Sequence, residues 1–108
     1  MTRKFIFFGP YITTPNASEL RLRLLPQHLE DLASRPHIVK FGGPFFTDGG
    51  AGEDDPERNY GGTFFLMESE DHVAAREIIQ SDVYFKGGLW DRPNIILVEY
   101  TPLMGYPF

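Results

Sequence analysis

The sequence predicts an α+β fold in which four strands and two helices follow one another in the order β-α-β-β-α-β. Two observations support this prediction. Short apolar runs rich in aromatic and β-branched residues alternate with two stretches whose apolar residues recur at helical spacing. The chain has 108 residues, of which 42% are hydrophobic, so it is long enough for one domain (residues 1–108) and too apolar to be disordered.

The first strand is predicted at residues 5–8, an apolar run that is closed by a Gly-Pro pair. Asn16 followed by Glu19 has the spacing of a capping box, which predicts that the first helix begins there. Leucines then recur at helical spacing to about Ser34. Pro26 lacks the amide proton of a helical hydrogen bond, so we expect it to kink or restart this helix.

Three further strands are predicted by short apolar runs at residues 37–46, 62–68 and 94–100. Residues 47–60 are rich in Gly and carboxylates and are predicted to form a flexible acidic loop. Ser69 is predicted to cap a second helix that runs to Gln80. Residues 102–108 follow the last strand as an aromatic tail.

This order of elements is the split β-α-β arrangement of ferredoxin-like sandwiches, an antiparallel sheet with two helices on one face. Three of the predicted strands are apolar at consecutive positions, which predicts that both faces of the sheet are covered. Two helices can cover only one face. We therefore expect a second copy of the chain to cover the other face, giving a homodimer.

Composition excludes several classes of function. The net charge of −5 argues against nucleic acid and membrane surfaces as partners, because an acidic surface repels phosphate groups. No apolar run has the length of a secretory signal or of a membrane-spanning helix, so we expect a cytoplasmic protein. The absence of Cys excludes thiol chemistry, and the three His lack the spacing of metal ligands, so no metal or cofactor is expected.

His28 and Asp82 are the candidate catalytic residues. His28 shares the apolar face of the first helix, and a buried histidine needs a hydrogen-bond partner. Because histidine ordinarily titrates near pH 6.5, such a residue suits acid–base chemistry, although a core histidine bonded to a backbone carbonyl explains the pattern slightly better when His28 is considered alone. Asp82 lies just past the second helix and is either the cap of a helix or turn, or the partner of a base.

Four further residues are candidates for binding a substrate. Arg21 lies seven residues before His28 on the same helical face, and is expected either to hold a substrate carboxylate or enolate or to pair with a surface acid. Tyr84, Phe85 and Trp90 can wall a pocket for a flat ring, or pack in the core or in a dimer. No serine lies in a Gly-x-Ser-x-Gly elbow, which argues against covalent hydrolysis.

The sequence resembles the YCII-related (YciI-like) family over about residues 5–101. The residues that carry the resemblance are Arg21, His28, Leu29, Leu32, Gly43, Pro44, Gly62, Ala75, Asp82, Tyr84 and Gly88. The resemblance implies a ferredoxin-like fold that dimerises through its sheets, with a histidine and an aspartate that meet in a pocket; these positions are His28 and Asp82. The chain departs from the family pattern in having Leu25-Pro26 in place of Arg-Pro and Asp82-Val83 in place of Asp-Pro.

The resemblance also indicates a type of reaction. One family member with an assigned reaction is a chlorohydroxyhydroquinone dehydrochlorinase, and muconolactone isomerases are similar dimeric α+β barrels. The expected function is therefore a cofactor-independent enzyme for elimination or isomerisation of a small phenolic, quinoid or lactone substrate. His28 would be the acid/base, and Asp82 would orient it or carry a second proton. The alternative is a non-catalytic dimeric module for a small ligand or a protein, which a His28–Asp82 pair without an adjoining cavity would favour.

Overall fold

A computed structural model describes residues 2–36, 38–47 and 60–105. The elements in chain order are β1 (Arg3–Pro10), α1 (Ala17–Ala33), β2 (Val39–Phe46), β3 (Tyr60–Ser69), α2 (His72–Ser81), α3 (Val83–Lys86), a 3₁₀ helix (Arg92–Asn94) and β4 (Ile96–Tyr100). The strands form one antiparallel sheet in the order β2-β3-β1-β4. This topology confirms the predicted ferredoxin-like α+β fold.

The first helix differs from its prediction in two respects. It runs from Ala17 to Ala33 as one α-helix that includes Pro26, so the expected restart does not occur. Pro26 and Leu22 are exposed, and water can therefore satisfy the Leu22 carbonyl that the proline leaves without a donor. The prediction of a capping box is also wrong. The Asn16 side chain makes no cap hydrogen bond and instead accepts a hydrogen bond from the Thr14 hydroxyl at 2.8 Å.

The second helix begins later than predicted because Asp71 caps it in place of Ser69. The Asp71 carboxylate accepts a hydrogen bond from the Ala74 amide at 2.8 Å, whereas Ser69 is the buried last residue of β3. The sequence did not predict α3 or the 3₁₀ helix. Most of the predicted acidic loop (residues 48–59) and the end of the tail (residues 106–108) lie outside the described residues.

The core lies between the sheet and the helices. Phe5 and Phe7 of β1 and Phe65 and Met67 of β3 point to this side and are buried. Trp90, which is 1% exposed, packs its ring against Phe7 with centroids 4.7 Å apart. Apolar residues of α1 and α3 pack against these side chains. No helix among the described residues is long and apolar enough to cross a membrane.

The opposite side of the sheet, here called the open sheet face, is apolar and has no helix of the described residues packed on it. Register places Ile6 opposite Leu66 and Val98, and Phe8 opposite Phe64 and Ile96. Its apolar residues are Ile6, Phe8, Phe41, Phe45, Phe64, Leu66, Ile96 and Val98. Val98 is 47% exposed. The strands are therefore apolar on both sides, as their consecutive apolar positions predicted.

Gly62 lies on β3, opposite Phe45 of β2 on one side and Pro10 of β1 on the other. A Cβ atom at this position would overlap the Phe45 ring and the backbone carbonyl oxygen of Gly9. We expect Gly62→Ala to lower the free energy of unfolding by about 1–3 kcal/mol, measured by urea denaturation. Gly43→Ala is the matched control, because no described atom lies within 4 Å of its Cβ position. Equal losses in the two variants would contradict the overlap.

Candidate active site

His28 of α1 and Asp82, which follows α2, meet in the interior. The Nδ1 atom of His28 lies 2.8 Å from Oδ1 and 3.0 Å from Oδ2 of Asp82. The two residues are only 5% and 2% exposed. Because a carboxylate accepts hydrogen bonds, Asp82 favours the form of the imidazole that carries its proton on Nδ1. The Nε2 atom is then the nitrogen available to another molecule.

The backbone around Asp82 fixes the position of its carboxylate. Asp82 has an extended backbone and caps α3, with its Oδ1 accepting a hydrogen bond from the Tyr84 amide at 2.8 Å. Asp31 of α1 accepts a hydrogen bond from the neighbouring Val83 amide at 3.0 Å. The sequence left open whether Asp82 is a cap or the partner of a base, and the structure shows that it makes both interactions.

The ring of Tyr84 fixes the plane of the imidazole. It stacks on His28 with centroids 3.8 Å apart and an interplanar angle of 4°. The Tyr11 ring in turn meets Tyr84 edge-on, with centroids 6.0 Å apart. Trp90 approaches His28 edge-on at 6.2 Å. The imidazole is thus held by a hydrogen bond in its plane and by an aromatic ring against its face.

A cavity of about 440 Å³ adjoins His28 between α1 and the strands β2 and β3. The apolar side chains in its lining include Leu25, Leu29, Leu32, Val39 and Phe65. His28 is among the lining residues and Asp82 is not. Asp82 therefore lies behind the imidazole, on the side away from the cavity, which suits an orienting group better than a second proton carrier.

Two hydroxyl groups lie in the cavity wall. The Tyr11 and Thr63 oxygens are 3.0 Å apart, and both residues are buried. Sequence reasoning did not select them, although Thr63 shows a usable signal, a hydroxyl within an otherwise apolar strand. Lys40 was also missed; it lines the cavity and lies in a register shift of β2, which the sequence does not indicate. The cavity therefore combines an apolar lining with hydrogen-bonding groups.

The structure brings two of the four predicted binding residues to the cavity. Arg21 and Tyr84 line it, whereas Phe85 and Trp90 do not. Trp90 is enclosed in the core, and the Phe85 ring lies under the Arg92 guanidinium at 4.2 Å beside a separate cavity. Consecutive residues of the short helix α3 point in different directions, so Tyr84 and Phe85 cannot both face His28.

Within residues 2–36, 38–47 and 60–105, no group of three or more His, Cys, Asp or Glu side chains is placed to hold a metal ion. What the site offers is a proton-transfer group, His28, beside an apolar cavity with hydroxyl and guanidinium groups in its wall.

No protein-family model and no curated protein sequence matches the chain. Its fold matches that of 5-chloro-2-hydroxyhydroquinone dehydrochlorinase (TftG) from Burkholderia phenoliruptrix AC1100 in complex with 2,5-dihydroxybenzoquinone, with a TM-score of 0.76 and 20% identity over 91% of this chain and 93% of that one. A Bacteroides thetaiotaomicron VPI-5482 protein assigned to the antibiotic biosynthesis monooxygenases matches with a TM-score of 0.50 and 16% identity, over 98% and 96% of the two chains. These similarities show a shared ferredoxin-like α+β fold.

Proposed function

We propose that this protein is a cofactor-independent enzyme of the YCII-related kind, which moves a proton on a small cyclic, oxygenated substrate. The observation that carries the proposal is the buried imidazole of His28, fixed through Nδ1 by Asp82 and lining a cavity of about 440 Å³. A cavity of this volume lies in the usual range of small-molecule sites. The similarity of fold to a dehydrochlorinase that acts on a hydroquinone supports the substrate class.

The proposed chemistry is acid–base catalysis by the Nε2 atom of His28. This atom takes a proton from a C–H or O–H group of the substrate, and the electron pair of that bond forms a new double bond. In an elimination the leaving group departs with the electron pair of its bond to carbon, and the imidazolium then gives its proton to the solvent; in an isomerisation the imidazolium returns the proton to a different carbon. Asp82 stabilises the imidazolium between these steps, and neither reaction needs an external oxidant or reductant.

The other groups of the cavity have matching roles in this proposal. The apolar side chains on α1 and on the sheet receive the ring of the substrate. Of the two hydroxyls of Tyr11 and Thr63, the one that accepts the hydrogen bond between them donates its own proton to a ring oxygen as negative charge develops on it. The alternative function, a non-catalytic binding module, predicted a His28–Asp82 pair without an adjoining cavity. The cavity beside His28 therefore favours the enzyme.

Proton exchange tests this proposal. The protein is incubated in D₂O with chlorinated hydroquinones, other ring-hydroxylated compounds and lactones, and each compound is followed by proton NMR and by release of chloride. We expect at least one compound to exchange a carbon-bound proton or to form product without any added cofactor. Binding of the compounds without exchange or product would instead support a binding module.

The open sheet face supports a homodimer as part of the same proposal. An exposed apolar area that extends over neighbouring strands marks a surface for association, and a second sheet is the natural cover. The apolar area of the open sheet face ends at an ion pair in which Nζ of Lys4 lies 3.2 Å from Oε2 of Glu68. The hydrogen bond from Lys4 lowers the pKa of Glu68, which keeps this end of the face charged. The cavity at His28 lies on the helix side, so it stays accessible in such a dimer.

We expect the wild-type protein to sediment with twice the mass of one chain, and Val98→Lys to sediment as a monomer. The substitution places a charge from each copy in an apolar interface, which should weaken dimerisation by more than about 100-fold. Val73→Lys on α2 is the matched control, because Val73 is 57% exposed on the helix side and should leave the dimer intact. A wild-type mass of one chain at micromolar concentration would contradict the dimer.

A further inference from the structure

A separate cavity of about 380 Å³ lies between α2, α3 and β4, and we call it the arginine cavity because Arg76 and Arg92 line it. Tyr84 of α3 stacks on His28, whereas the next residue, Phe85, lines the arginine cavity. The two cavities share none of the described residues that line them. The arginine cavity is large enough for a small molecule, and the proposed reaction at His28 gives it no role.

One part of the lining of the arginine cavity is apolar. It is formed by Ile79 of α2, Phe85 of α3, Ile95 and Leu97 of β4. Ile79 is buried, and the other three side chains are half-buried. Apolar surface that is partly exposed to water in this way favours contact with the hydrocarbon part of a ligand, because the contact removes that surface from water.

The two arginines of this cavity are each held by a hydrogen bond to an uncharged acceptor. The guanidinium carbon of Arg92 lies 4.2 Å from the centroid of the Phe85 ring, and its Nη2 donates to the Phe85 carbonyl at 2.9 Å. The Nη2 atom of Arg76 lies 3.0 Å from Nδ1 of His72, which accepts the bond because arginine only donates. Each of these bonds uses one of the five N–H groups of a guanidinium.

Within the described residues, neither of these two arginines is paired with a carboxylate, in contrast to Arg3, which pairs with Glu99. The carboxylates that neighbour them along the chain are directed elsewhere. Asp91 accepts a hydrogen bond from the Asn94 side chain, and Glu77 lines a different cavity. Two positive charges that face one cavity repel each other, and a ligand with two negative charges offsets this repulsion.

We propose that the arginine cavity binds a phosphate monoester that carries a small apolar group. The phosphate group bridges Arg76 and Arg92, and the apolar group packs on the apolar part of the lining. Guanidinium groups match phosphate oxygens with two-point hydrogen bonds, and above neutral pH a phosphate monoester carries close to two negative charges, whereas a carboxylate carries one. The site is independent of the proposed function, because the reaction at His28 uses neither arginine.

Isothermal titration calorimetry with butyl phosphate tests this proposal. This probe has no ring, so it lies outside the substrate class proposed for His28. We expect the wild type to bind it, and Arg76→Gln and Arg92→Gln each to weaken binding by about 10- to 100-fold, the usual effect of losing a charged hydrogen bond. Lys86→Gln is the matched control, because it removes an exposed cation of α3 that does not line the cavity; it should change the affinity by less than about two-fold.

Two further readouts use the wild type alone. Inorganic phosphate should bind at least about 10-fold more weakly than butyl phosphate, because it has no group to cover the apolar lining. In the ¹H–¹⁵N spectrum, butyl phosphate should shift the Nε–H signals of Arg76 and Arg92 and leave that of Arg23 on α1 unchanged. Absence of binding at millimolar concentration, equal affinities for the two phosphates, or an equal loss in Lys86→Gln would overturn the proposal. None of these results bears on proton exchange at His28, which tests the proposed function separately.

Discussion

Replacing His28 with Asn should lower kcat by about 10²- to 10⁴-fold, the range of general acid–base catalysis, in a protein that still folds. The Asn amide keeps an N–H donor near the position of Nδ1 for Asp82, whereas nothing replaces Nε2. The loss should therefore fall on kcat, with little change in KM, because the cavity walls remain. Steady-state kinetics with the compound identified by proton exchange measures this effect.

His72→Asn is the control for this variant. The Nε2 atom of His72 donates a hydrogen bond to the Leu97 carbonyl at 2.9 Å, and His72 does not line the cavity beside His28. We expect its kcat to remain within a few-fold of the wild-type value. His28→Ala is less informative, because it leaves the buried Asp82 without the imidazole and mixes a loss of stability with a loss of catalysis. Full activity of His28→Asn would end the catalytic role of this residue.

The order of strands and helices could be predicted because it depends on local patterns. The apolar run of β1 and the helically spaced leucines of α1 each identify an element without reference to the rest of the chain. The consecutive apolar positions of β1 and β3 also predicted a sheet that is apolar on both faces, which the structure confirms. Each of these inferences needs only the periodicity of side chains along one element.

The ends of the helices could not be predicted because several residues can make the same hydrogen bond. Asn16, Ser69 and Asp71 are all suitable helix caps, yet only Asp71 accepts an amide hydrogen bond as a cap. Ser69 is drawn into β3, where it is paired with Arg3 of β1. The choice among these residues is made by strand pairing, which a local pattern does not contain.

The pairing of His28 with Asp82 was implied by a family resemblance and not by spacing, since the two residues lie 54 positions apart. The environment of Arg21 could be predicted neither from the spacing of residues nor from the family resemblance. A register shift between Phe45 and Phe46 pairs Phe46 with Tyr60, and the Tyr60 ring then lies against Arg21. Such bulges re-aim side chains without a clear sequence signal, so the contact between Tyr60 and Arg21 could be seen only in the structure.

Asp82→Asn should reduce kcat by about 10²- to 10⁴-fold and leave stability almost unchanged. Asn is as good a helix cap as Asp, so the hydrogen bond from the Tyr84 amide can persist. The amide, however, carries no charge to stabilise the imidazolium, and its NH₂ group competes for Nδ1 and favours the wrong tautomer. Kinetics and urea denaturation of the same preparation separate the two effects.

Asp31→Asn provides the matched comparison for this positioning role. Asp31 accepts a hydrogen bond from the Val83 amide at the same end of α3, but His28 is not its partner. The same change from carboxylate to amide should therefore leave kcat and its pH profile close to those of the wild type. If Asp31→Asn and Asp82→Asn lost activity equally, the loss would come from a changed structure at the start of α3 and not from a changed imidazole.

The double variant His28→Asn/Asp82→Asn decides whether Asp82 acts through His28. If Asp82 only orients the imidazole and stabilises its charge, its replacement has nothing left to impair once Nε2 is gone. The double variant should then be no slower than His28→Asn alone, so that the two losses are strongly non-additive. If the reductions in kcat of the two single variants multiplied in the double variant, Asp82 would contribute independently of His28. The position of Asp82 behind the imidazole and outside the cavity lining argues against such a contribution.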